Sequence, residues 1–195
     1  MSNQPITFRP GKIQDAPILA QLVNYAGEGM PLYLWEKIAE GDQTGWDIGK
    51  ERAARQEGGF SYRNATIIEQ EGKAAACLIG YEIGDTPQTI TPDMPEMFVP
   101  LQELENLACS TWYVNVLAAL PEYRNRGLGS HLLNKADELG ANLGKSGMSV
   151  IVADNNTKAK QLYERFNYTE IARRPMVKGD WISEGKEWVL LTKDF

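Results

Sequence analysis

The stretch that most constrains the fold runs from Ser110 to Leu143. "STWYVNVLAAL" (110–120) is a β-branched and aromatic strand. "PEYRNRGLG" (121–129) is a turn rich in glycine and arginine. From Leu128 the apolar residues Leu128, Leu132, Leu133, Ala136, Leu139 and Leu143 share one face of an amphipathic helix. A strand feeding a helix through glycines is anion-binding geometry. The first helical N–H groups lack intrahelical partners, and the helix dipole adds about half a positive charge there. Gly127 and Gly129 would let a phosphate approach the backbone without a Cβ in the way, and Arg124 and Arg126 add charge.

Two other phosphate motifs are excluded. The dinucleotide fingerprint needs a third glycine where this chain has Leu132. "GANLGKS" (140–146) is one residue short of a Walker loop and lies at a helix end, so Gly144 reads as a helix C-cap with Lys145 near the negative end of the dipole.

The rest of the chain surrounds this unit with mixed elements. "ITFRP" (6–10) is a short strand, followed by a helix capped by Asp15 with Pro17 in its first turn. Helices are expected at 31–40, 47–56 and 156–166. Strands are expected at 64–70 and 73–84, joined as a hairpin near Glu71-Gly72, and at 148–153, 168–174 and 187–194. With 195 residues the chain is long enough for one domain with a full core. The pattern predicts an α/β (α+β mixed) domain spanning 1–195, with helices on both faces of its sheet. Residues 85–110 form an acidic, proline-rich insertion holding Pro87, Pro92, Pro95 and Pro100, with room for one short helix.

Charge is unevenly spread. Residues 74–123 carry no Lys or Arg and seven acidic side chains, whereas 124–195 sum to +3 within a chain of net charge −6. No dense basic stripe points to nucleic acid, and no apolar run approaches the ~20 residues of a membrane span. The opening "MSNQPITFRPGKIQD" lacks a signal peptide's apolar core. One histidine, His131, and two cysteines, Cys77 and Cys109, without metal-type spacing suggest a reduced cytoplasmic protein with no metal.

At this point the chain resembles the GNAT superfamily of acetyl-CoA-dependent N-acetyltransferases. The likeness covers nearly its whole length in order. "ITFRPGKIQDAPILAQLV" resembles the opening strand and helix, and Arg124-x-x-Gly127-x-Gly129 within "LAALPEYRNRGLGSHLL" matches the acetyl-CoA signature. In "NNTKAKQLYERFNY", Asn156, Ala159, Leu162 and Tyr163 match the later segment at their spacing, while Asn167-Tyr168 replaces its usual Gly-Phe. Ala119 stands where a valine is common.

The resemblance implies a strongly twisted mixed sheet of about six to seven strands, with a splayed strand pair holding acetyl-CoA. The amides and side chains of Arg124, Asn125, Arg126, Gly127, Leu128, Gly129 and Ser130 would cradle the pyrophosphate. Leu117, Ala118 and Ala119 would pair with the pantetheine arm, with Asn156, Ala159 and Tyr163 beside it. Asn156 reads equally well as a helix N-cap. Tyr163 matches the usual acid for the leaving thiolate, against a plain half-buried aromatic.

The base is open. The fourth strand carries Tyr113 and Asn115 where many members have glutamate, which leaves Glu82, Asp85 or a water chain. Glu28, Tyr33, Trp35 and Trp181 are expected at the acceptor mouth, lined by 28–35, 85–110 and 178–185. The acidic character of that mouth implies a cationic amine, from a small molecule or a peptide; the rival reading is a merely solvated acidic surface around an amino-acid-like acceptor. A homodimer is compatible with the family. The alternative is a non-catalytic acyl-CoA-binding or sensing domain of the same fold.

Overall fold

The computed structural model describes residues 6–195; the first five, which belong to the N-terminal reading, lie outside the described residues. Seven strands form one mixed sheet in the order β1-β2-β3-β4-β5-β7-β6, flanked by helices. The chain divides into two compact units. One holds the described residues to Gly80 with Asn115–Leu132, the other Tyr81–Val114 with Leu133–Phe195.

The first unit contains β1 (Thr7–Pro10), α1 (Ala16–Ala26), α2 (Met30–Ile38), α3 (Gly45–Ala53) and β2 (Ala65–Gln70). It also holds most of β3 (Lys73–Glu82), the end of β4 (Thr111–Ala119) and the start of α5 (Leu128–Asn142). β1, β2 and β3 pair antiparallel. The β2–β3 hairpin closes on Glu71 (φ 53) and Gly72 (φ 72), two left-handed residues whose twist suits adjoining strands. Arg9 fixes β1 by reaching Asp15 and Glu69, each at 2.6 Å.

Thr44 caps α3 and exchanges hydrogen bonds with Asp47. Glycine at position 49 lets α3 lie on Trp35, because a Cβ there would stand 2.5 Å from the indole ring. Trp35 also stacks on Phe60 and meets Trp46 edge-on, at centroid distances of 5.8 and 6.4 Å. Leu19, Leu22, Ile67, Cys77 and Ile79 complete this core.

The second unit contains α4 (Val99–Glu105), β5 (Gly147–Ala153), α6 (Thr157–Arg165), β6 (Thr169–Pro175) and β7 (Glu187–Asp194). The insertion thus ends in a helix, preceded by a 3₁₀ turn at Glu96–Phe98. Asn106 accepts from the Gln88 amide and donates to its carbonyl, both at 2.8 Å, which ties the loop to the end of α4. β4 and β5 run parallel, from Thr111–Gly147 to Val114–Val150, and β4 continues to Ala119. β5 pairs antiparallel with β7, and β7 with β6. Leu133, Ala136, Met148, Val150, Leu190 and Leu191 are buried here.

Two helix ends explain departures from expectation. α5 stops at Asn142, so Leu143, expected on its apolar face, is 53% exposed. Gly144 (φ 67) caps the end, with the Lys145 amide donating back to the Gly140 carbonyl, which is the C-cap the sequence suggested. After α6, Asn167 takes the left-handed conformation (φ 64) that glycine commonly supplies. Asparagine tolerates that region better than other side chains, so the replacement keeps the turn.

Both cysteines are free thiols. Cys77 is fully buried, and burial pushes its thiol well above the usual range. Cys109 is half-buried, with Sγ donating to the Asn106 carbonyl.

Candidate functional site

The turn between β4 and α5 is built from two left-handed residues, Asn125 (φ 60) and Gly127 (φ 78), on either side of Arg126. Alternation of this kind turns successive N–H groups into a concavity for anions. The amides of Ser130 and His131 close on the Gly127 carbonyl. Those of residues 126–129 meet no acceptor among the described residues. Space beside the turn is open, since a Cβ at Gly127 would meet no atom within 4 Å. Leu128 is buried and anchors the helix start.

Each arginine is held by the main chain and by a ring. Arg124 Nε donates to the Ala119 carbonyl at 3.2 Å and its guanidinium lies 5.1 Å from the Tyr25 ring centre. Arg126 donates to the Glu122 carbonyl at 2.6 Å and lies 5.1 Å over Tyr123. Both remain exposed, so two cations stand pre-positioned beside the turn. These residues fit a pyrophosphate: unpaired amides, open space and fixed positive charge. Leu117 and Ala119 are half-buried and Ala118 is buried at the end of β4.

The second unit holds the ionisable groups. Asn156 caps α6, its side-chain oxygen accepting from the Ala159 amide at 3.2 Å. Tyr163, about two turns further along α6, is 5% exposed, and its ring meets that of Tyr168 at 5.6 Å. Burial raises the Tyr163 hydroxyl above the usual tyrosine range, so it stays protonated at neutral pH.

Around it lies a cluster the sequence did not reveal. Tyr81 and Tyr113 meet edge to face at 5.4 Å. Tyr113 is within electrostatic range of Glu105, Tyr81 and Tyr163. The nearby Tyr81 hydroxyl favours the charged form of Glu105, the last residue of α4. Burial raises its carboxyl to about 7, against that smaller downward pull.

The other expected residues have the following surroundings. Glu82 is exposed and paired with Lys145 at 2.8 Å. Asp85 accepts from the Ser110 hydroxyl at 2.7 Å. Trp35 is 4% exposed within the core of the first unit, its faces covered by Phe60 and Gly49. Trp181 is 5% exposed and stacked on Trp188 at 6.1 Å. Tyr33 carries the ammonium of Lys37 over its ring at 4.4 Å. Glu28 is half-buried in the left-handed turn between α1 and α2 (φ 53). His131 is exposed on α5.

Among the described residues no group of His, Cys, Asp and Glu could hold a metal ion, and no helix is long and apolar enough to cross a membrane.

The model of the acetyltransferase (GNAT) family matches residues 30–168, which includes the anion turn and α6. The chain belongs to this family. Solved structures agree on the fold. An N-acetyltransferase from Staphylococcus aureus Mu50 is 20% identical with a TM-score of 0.65, over 96% of this chain and 100% of its own. A GNAT acetyltransferase from Elizabethkingia anophelis with acetyl-CoA bound is 15% identical with a TM-score of 0.58, over 97% and 98%. The ribosomal-protein-S18-alanine N-acetyltransferase of Escherichia coli is 16% identical with a TM-score of 0.58, over 97% and 94%. No curated protein matches the sequence.

Proposed function

We propose that the protein is an N-acetyltransferase that moves an acetyl group directly from acetyl-CoA to a cationic amine. The observation that carries this reading is the 124–130 turn, with free amides, two fixed arginines and open space over Gly127, in a chain of the GNAT family. Acetyl-CoA supplies the activated acyl group. Residues 126–129 hold its pyrophosphate, and the extended backbone of Leu117–Ala119 offers hydrogen-bonding edges to the pantetheine amides. Tyr163, neutral and buried, donates a proton to the departing thiolate. A thiol of ordinary pKa leaves fairly well unaided, so this contribution is modest.

A cationic acceptor is supported by the stretch from 74 to 123, which has seven acidic side chains and no basic one. Negative potential draws cations in and is screened by salt.

The reading is tested by free-thiol release from acetyl-CoA with a panel of polyamines, amino sugars and peptides. Turnover above hydrolysis supports an enzyme; tight acetyl-CoA binding without release from any amine supports a sensing domain instead. Tyr163→Phe is expected to lower kcat about tenfold while acetyl-CoA affinity stays within a few-fold. An unchanged kcat makes Tyr163 a packing residue. For the best acceptor, kcat/KM is expected to fall as ionic strength rises. If an acceptor of net negative charge gives the highest kcat/KM, the cationic assignment is wrong.

A further inference from the structure

We infer that the loop after α3 holds the phosphate group of a small molecule, on Arg52 and Arg55 with Arg63 beside them. The site is separate from the 124–130 turn and does not depend on which amine is acetylated.

The stretch "RAARQEGGFSYR" (52–63) carries three arginines and one glutamate, a local charge of +2 in a chain of −6. None of the three arginines has an ion pair among the described residues. Neighbouring carboxylates are engaged elsewhere: Asp47 pairs with Lys50 at 2.9 Å, and Glu51 accepts from the Gln43 amide at 3.0 Å. Glu57, on the loop itself, is exposed and pairs with none of the three.

Local structure brings these charges together. Arg52 lies in the last turn of α3, and the Arg55 amide donates to its carbonyl at 3.3 Å. Residues three apart on such a turn share a face. The loop then folds back on itself. The buried Ser61 hydroxyl donates to the Arg55 carbonyl at 2.6 Å and accepts from the Arg63 amide at 3.2 Å. The Arg63 guanidinium donates to Gln56 at 3.1 Å, and the Gln56 amide donates to the Tyr62 hydroxyl at 3.1 Å. Asn64 donates to the carbonyls of Gly58 and Gly59, and Phe60 stacks on Trp35. The loop is therefore held before any ligand arrives. Beside it lies an open cleft of about 510 Å³, lined by Arg55, Gln56, Glu57 and Gly58, a volume within the range of small-molecule sites.

Energetics say what the cleft lacks. Arg52 is half-buried, and its Nε is buried without an acceptor among the described residues. Burial and the neighbouring Arg55 charge press its guanidinium below the usual range. A desolvated cation beside a like charge destabilises the fold until an anion offsets it. The negative end of the α3 dipole favours an arginine at position 52. It does not account for Arg55 and Arg63 beyond the helix. Guanidinium groups bind oxyanions through paired N–H donors. A phosphate monoester, with a charge of about −1.5 to −2 at neutral pH, matches the local +2.

The test is calorimetric titration with inorganic phosphate at constant ionic strength, in excess coenzyme A to occupy the 124–130 turn. Wild type is expected to show saturable one-site binding. Arg52→Gln and Arg55→Gln are each expected to weaken it at least tenfold. Glu57→Gln is expected to tighten it, because the cleft loses its negative charge. Acetate, a monoanion, is expected to bind at least tenfold more weakly than phosphate; equal affinity overturns the phosphate assignment. Phosphate is also expected to raise the Tm of wild type and not that of Arg52→Gln. If Arg52→Gln fails to fold, Arg55→Gln, on the exposed loop, decides the matter. A second series replaces coenzyme A with its 3′-dephospho form. Phosphate binding present there and abolished by coenzyme A means that the cofactor's own phosphate fills the loop, which overturns a separate ligand. Absence of saturable binding in both series up to about 20 mM phosphate, or equal affinity in wild type and both arginine variants, overturns the site. Either result leaves the acetyl-transfer reading standing, because that reading is tested by thiol release.

Discussion

Gly127→Val is expected to weaken acetyl-CoA binding at least tenfold, and Arg124→Glu to do so by a different route. At position 127 two effects add. The backbone φ of 78 lies where β-branched residues are strongly disfavoured, and a side chain there projects into the space the pyrophosphate needs. At position 124 a fixed positive charge becomes a negative one beside an anionic ligand. The Arg124 bond to the Ala119 carbonyl and its packing on Tyr25 are lost as well. The two variants together are expected to lose at least a hundredfold. Calorimetric titration with coenzyme A and with its 3′,5′-ADP fragment measures this. Unchanged affinity in both single variants, with unaltered circular dichroism, refutes the assignment of the turn to the cofactor.

The second large effect concerns stability. Gly147→Ala is expected to cost about 3 kcal/mol, the upper range for forcing atoms into a packed interior. Gly147 begins β5 and pairs with Thr111 on one side and Asp194 on the other. A Cβ would stand 2.2 Å from the Lys193 carbonyl oxygen and 3.1 Å from the Asp194 Cα, both backbone atoms of β7. Neither can swing aside as a flexible side chain does. Gly72→Ala has no such neighbour and serves as control, since nothing lies within 4 Å and only its φ of 72 opposes the methyl group. Urea denaturation compares the two; equal midpoints would mean that β7 yields at Lys193.

Most elements were legible because their signals are local. The amphipathic face of α5 and the β-branched runs of β4 and β5 carry their own periodicity. The hairpin at Glu71-Gly72 announces itself by residue type. The phosphate turn was legible for the same reason, as its glycines, arginines and helix start are neighbours in sequence. α4 was obscured by four prolines around it, although Pro100 sits in its first turn, where proline is tolerated.

The raised carboxyl of Glu105 is not legible in the sequence because its cause is not local. Its partner Tyr81 lies 24 residues away, and the shift of its carboxyl comes from burial that no sequence window displays. Of the carboxylates the sequence offers as a base, Glu82 stands in an exposed ion pair with Lys145 and Asp85 accepts from the Ser110 hydroxyl. Trp35 illustrates the converse. An aromatic near a loop suggested a binding face, but Gly49 on a later helix turns that face into core.

The unequal state of the two thiols has a practical use. Cys77 is sealed inside the sheet with its proton held tightly, so an alkylating dye meets Cys109 alone at moderate pH. Cys109 follows the end of α4 by a few residues, on the short connection to β4. The native chain therefore carries its own attachment point for an environment-sensitive fluorophore. Such a label, placed without engineering any residue, would follow events at the end of α4 in real time.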